Sequence, residues 1–224
     1  MLRVWVGLLL GASGALMYAA SWQRWAGPCS DGWAAETCLR RQDHLFDFML
    51  PTEPWEPAGG AAALAGLSLL VFALALPVLP WALTGRRPGP FSAIALVLSE
   101  IALVVVGVAT LRSGLSGEVV EAALGVWSVT IWFIGPPILL TRFAVSSRGW
   151  PRAASVLLAL GTPLVGTLYA IGDFDTRPWW EAVSGTFTAL AGLCLLVAAA
   201  WRPLPSAGAD ATAPAAAGSG TRPT

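Results

Sequence analysis

The sequence contains no lysine: all 13 basic residues are arginine, and 13 acidic residues balance them. Without a clustered basic face the chain has no footprint for nucleic acid. Charge of either sign is scarce. Only 12% of the 224 residues are charged, against roughly 25% in a soluble domain, so the polar surface of a globule in water is missing. Histidine occurs once, as His44, and the sequence holds no H-E-x-x-H, G-x-S-x-G, Walker A or C-x-x-C motif. A hydrolase or thiol oxidoreductase would therefore lack its nucleophile and base, and neither enzymatic activity nor a cofactor is expected. Exclusive use of arginine with abundant alanine and glycine points to a GC-rich, bacterial genome.

What is abundant is apolar sequence, at 56% of the chain. Runs long enough to cross about 30 Å of hydrocarbon at 1.5 Å per residue cover 4–20, 60–81, 91–111, 122–140, 153–171 and 182–201. The expected fold is an all-α integral membrane protein, a bundle of six transmembrane helices with the lipid bilayer as its first partner. The first run also has the charged start and apolar centre of a signal peptide. A retained helix is the preferred reading, because its core is long and "GLLLG" offers a small-xxx-small packing face at Gly7 and Gly11.

Arginine sets the orientation, since basic loops stay on the cytoplasmic side. With the N-terminus inside, Arg3, Arg86, Arg87, Arg142, Arg148, Arg152, Arg202 and Arg222 are interior, against Arg24, Arg40, Arg41, Arg112 and Arg177 outside. Both termini are thus expected in the cytoplasm, at the cell membrane. Of the acids, only Glu100 and Asp210 fall elsewhere than the outer side. Trp5, Trp22, Trp55, Trp81, Trp150, Trp179, Trp180 and Trp201 sit near the span ends, where amphipathic rings anchor at the headgroups. Trp127 and Trp132 lie within the fourth run, where they either line a pocket or pack against lipid.

The outer loop, 21–59, is the one sizeable segment outside the expected membrane, and it carries Cys29 and Cys38. A disulfide between them would rigidify a segment too small for its own core. Their eight intervening residues do not suit a redox dithiol. Cys194, alone in the sixth run, reads as a small apolar packing residue. The stretch "AETCLRRQDHLFDFML" is expected to form a short helix with Glu36 and Arg40 paired at i,i+4 and an apolar face laid on the membrane. Asp43, His44 and Asp47 would then share one turn. Such a trio can ligate a divalent metal, although a solvated face is the commoner meaning and no metal is expected.

"TEPW" before "ALAGLSLLV" is echoed by "TRPW" before "ALAGLCLLV", which suggests a parallel duplication of a helix, outer loop, helix unit; the competing reading is chance in a biased composition. A true duplication would make the two T-x-P-W segments structurally equivalent. Proline breaks at Pro77, Pro80, Pro136, Pro137 and Pro163 would admit water locally or kink their helices.

One carboxylate, Glu100, falls about 14 Å along the third run, close to the bilayer midplane. With no base in any span it is expected to be protonated, to face protein beside Ala93 and Gly107, and to hydrogen-bond Ser13, Ser68, Thr130, Thr162 or Thr188. Two functions remain. A non-enzymatic binding or accessory component would use the acidic outer loop, with a partner membrane protein; a small proton- or cation-coupled transporter would rely on Glu100. The tail 202–224 is expected to be a disordered cytoplasmic tether.

Overall fold

A computed structural model describes residues 1–171 and 175–201; the expected tail lies outside them. The chain is 73% helical with no strands among the described residues. Five helices are long and apolar enough to cross a membrane, six if a pair bent at a break counts as one span. The spans are α1 (Leu2–Trp25), α3 (Ala61–Ala75) running through a 3-10 turn at Leu76–Val78 into α4 (Leu79–Thr84), α5 (Pro90–Ser116), α6 (Val126–Ser146), the bent pair α7 (Trp150–Leu160) and α8 (Pro163–Ala170), and α9 (Trp180–Ala200). A short α2 (Glu36–Arg41) belongs to the loop between the first two spans.

Each of the six apolar runs is helical, the fifth as a bent pair, and several helix ends differ from the ends of the runs. The first helix continues beyond residue 20 to Trp25, so Arg24 is helical and buried rather than part of a solvated loop. The fourth begins at Val126, because Leu124 and Gly125 adopt positive φ (65° and 51°) and cannot belong to a right-handed helix. The fifth is bent by 61° between Leu160 and Pro163. Pro163 has no N–H to give and its ring clashes with the preceding turn, while Thr162 before it is extended (φ −72°, ψ 154°). Pro136 and Pro137, by contrast, lie inside a continuous α6.

Consecutive spans pack side by side and α9 closes on α1, giving a ring in the order α1, α3–α4, α5, α6, α7–α8, α9. Small residues make its tightest seam. Gly14 lies against the Gly185 carbonyl and Ala189, and Gly192 against the Gly7 carbonyl and Gly11. Gly7, Gly11 and Gly14 all border this seam, Gly11 through its backbone nitrogen, although a side chain at Gly11 would itself meet open space. Replacing Gly14 by leucine should overpack this seam and cost about 1–3 kcal/mol, read as a lowered Tm in detergent. Across the α1–α3 seam Ser13 Oγ donates to the Ser68 carbonyl at 3.0 Å, and Ser68 Oγ to the Ser13 carbonyl at 2.8 Å.

The two ends of the ring differ. At one, α4 turns inward to touch α1, α6 and α7, burying Leu79, Pro80, Ala82 and Leu83. Arg3 Nε donates to the Ala82 carbonyl (3.0 Å) and Ser147 Oγ to the Leu83 carbonyl (3.3 Å), so the plug is tied at both sides. At the other end the 26–60 loop folds over the bundle, burying Phe46 and Phe48. Cys29 and Cys38 are bonded. Leu50 N–H donates to Thr110 Oγ1 (3.3 Å) and Gly60 N–H to Gln23 Oε1 (2.7 Å), which ties the loop to α5 and α1.

Candidate functional site

The loop helix is shorter than its sequence suggests. It stops at Arg41, followed by a 3-10 turn at His44–Phe46 and irregular chain, because Asp43 is extended and its carboxylate accepts from Leu45 N–H. Arg40 does not pair with Glu36; its guanidinium lies 3.5 Å from Glu56. Of the segment's apolar residues, Phe48 packs into the core of the bundle and Phe46 is buried beneath the Arg41 guanidinium.

This break separates the three expected ligands. Asp43 and His44 remain together on the outside (Oδ1 to Nδ1, 3.2 Å), and the third member is Asp175 at 3.7 Å from the same nitrogen. Asp47 turns toward Arg24, its side chain still 38% exposed, and its Oδ1 accepts from Arg24 Nη1 at 2.7 Å.

Arg24 organises the interior. Its Nη1 also donates to Glu181 Oε1 (3.1 Å), while Trp25 Nε1 donates to Glu181 Oε2 (2.8 Å). Nε donates to the Arg41 carbonyl (3.2 Å), and Nη2 to the carbonyls of Arg41 (3.0 Å) and Asp43 (3.3 Å) and to Thr176 Oγ1 (3.1 Å). All five donor hydrogens are thereby engaged. Thr176 Oγ1 donates in turn to the Gln42 carbonyl at 2.7 Å, joining the second loop to the first. Arg24 is 0% and Glu181 1% exposed, so this ion pair is desolvated and holds α1, the loop and α9 in one arrangement. One guanidinium serves two carboxylates here. Burial accordingly raises the Asp47 pKa, with Arg24 opposing. Burial also lowers that of Arg41, whose guanidinium lies over the Phe46 ring with Arg24 near it.

Two abutting cavities lie beneath this network. The one at the loop end, about 290 Å³, is walled by Arg24, Asp47, Phe48, Phe133, Thr167 and Glu181. A deeper one, about 80 Å³, is lined by Ser13, Ser68, Leu69, Phe72, Ser184 and Thr188, with the Gly161–Pro163 break along its wall. Met49, Trp132, Pro163 and Trp180 line both. The buried Nε1 of Trp180 has no hydrogen-bond partner among the described residues. Of the two rings within the fourth span, Trp132 (7% exposed) lines the cavities, and Trp127 (71% exposed) points outward.

Glu100 belongs to neither cavity. It is half-buried on α5, and Oε2 is buried without a partner among the described residues. None of the expected hydroxyls reaches it: Ser13 and Ser68 bond each other's helices, and Thr130, Thr162 and Thr188 donate to the carbonyls of Val126, Ala159 and Ser184. Gly107 does face protein, against Leu69 and Leu70. The two T-x-P-W segments are not equivalent either. Thr176 is wired into the ion network, whereas Thr52 is exposed; Trp179 meets Trp22 edge-on at 5.6 Å, whereas Trp55 is half-buried against the core with Nε1 unpartnered among the described residues.

The sequence marks Asp47 as a candidate but assigns Arg24 and Glu181 to solvated loops. The signal that could have found them is that each stands next to a tryptophan at a span end, in "RW" and "WWE". No protein-family model matches the chain, and neither does any curated protein or solved structure.

Proposed function

We propose that this chain is a non-enzymatic, multi-pass protein of the cell membrane, with both termini cytoplasmic, that binds a small ligand reaching it from outside. The observation that carries this reading is the asymmetry of the ring: α4 plugs one end, and adjoining cavities lie beneath the loop at the other. Such concave, largely apolar spaces with a few convergent polar groups are where small ligands bind. The arginine-rich loops at the plugged end support the outward orientation of the cavity. Cys29–Cys38 in the covering loop suits an oxidising exterior. Binding in place of catalysis rests on the missing nucleophile and base motifs.

One observation favours a carrier as the second reading. The broken α7–α8 pair lines the deeper cavity, and transporter sites are commonly built on interrupted helices. Glu100 would not be its coupling group from a position outside both cavities.

Two measurements test these readings. In a Cys194→Ala background, Met49→Cys should react with a membrane-impermeant thiol reagent applied outside cells, and reaction only after permeabilisation would reverse the orientation. Glu100→Gln should leave ligand affinity within about twofold; loss of proton-dependent uptake in that variant would restore the coupled-transporter reading.

A further inference from the structure

The loop-end cavity has an electrostatic preference. Of the charged groups in its wall, two are carboxylates, Asp47 and Glu181, and one is a guanidinium, Arg24. Every donor hydrogen of Arg24 is already committed to protein oxygens. Among the described residues of this wall an anion would face two carboxylates against one guanidinium with no hydrogen to spare; Arg41, whose Nη1 is buried without a partner, does not line it. Glu181 has both oxygens occupied, by Arg24 and Trp25. Asp47 uses Oδ1, and among the described residues no hydrogen bond reaches Oδ2. The rest of the wall is aromatic, with Phe48, Trp132, Phe133 and Trp180. A carboxylate among π faces is the environment in which ammonium groups are recognised, through the negative face of each ring. The deeper, mainly apolar cavity opens off the same residues and has room for a short hydrocarbon arm, not for a second charge.

Resting on the outward-facing binding site proposed above, we propose that its ligand is a small amphiphilic organic cation, its ammonium group held by Asp47 and the aromatic wall and its apolar arm directed past Trp132 and Trp180 into the deeper cavity. The approach is favoured from a distance as well. Asp43 and Asp175 lie together beside His44, and exposed acids raise the local concentration of cations.

The test is calorimetric titration of the full chain in nanodiscs, with empty nanodiscs subtracted, using three probes of one shape: benzyltrimethylammonium, its uncharged carbon isostere neopentylbenzene, and the anion phenylmethanesulfonate. The expected result is at least tenfold tighter binding of the cation than of the isostere, with no binding of the anion. Asp47→Asn should remove most of that preference while leaving the isostere unaffected. Trp132→Leu, which keeps apolar bulk but loses a π face, should weaken the cation severalfold more than the isostere. Equal affinity for cation and isostere, or tighter binding of the anion, would overturn the cation assignment and leave the outward-facing site standing. If none of the three binds a folded protein, both fall.

Discussion

Arg24→Met should be the most damaging single substitution in the chain, lowering stability by about 3–5 kcal/mol, because it strands Glu181 as a buried carboxylate without its counter-charge. The cost is that of an uncompensated charge more than of a lost attraction. Arg24→Met combined with Glu181→Met should therefore recover most of it, since apolar replacement of a whole buried pair is often neutral or better. Thermal unfolding of the four proteins of that double-mutant cycle in detergent measures the coupling. An Arg24→Met variant that unfolds with the wild type would show that the pair is not desolvated, and would remove the anchor holding the cavity wall.

Loss of the disulfide should be the second largest effect. Cys29 and Cys38 are nine apart in sequence, and opening a loop of that size releases about 2–3 kcal/mol of conformational entropy to the unfolded chain. The consequence should be local. The paired substitution Cys29→Ser, Cys38→Ser should leave the apolar helices in place but expose 27–37 to protease, because most of that part is exposed, whereas 41–48 stays tied by Arg24, Thr176, Phe46 and Phe48. A loop that stays protease-resistant after the double substitution would mean that its packing suffices alone.

The helical spans were readable because each is a run of apolar residues longer than a bilayer is thick, a signal local to the chain. Their ends were less so. The run 122–140 is helical only from Val126, and to Ser146, because backbone conformation at Leu124 and Gly125, not hydropathy, decides where α6 begins. Pro163 was legible as a break, for a reason as local as a missing N–H. The candidate site was legible only in part, because hydropathy treats a charge at a span end as solvated. Arg24 and Glu181 stand 157 positions apart, and nothing in the sequence near either names the other. Asp47 reads as one of three outward ligands until the chain becomes extended after α2 and turns it toward Arg24.

By itself, the sequence determined that this is a helical chain with apolar runs long enough to cross a membrane and a cysteine pair in one loop, since composition, run length and spacing carry that information residue by residue. Only the tertiary structure decided that α9 closes on α1, that α4 plugs one end, and that a buried Arg24–Glu181 pair with Asp47 walls a cavity at the other. Those are contacts between distant segments, and their energies depend on which groups lose water together. Glu100 shows the same division from the other side: its depth follows from counting residues, but its place outside both cavities follows from how α5 is turned in the ring.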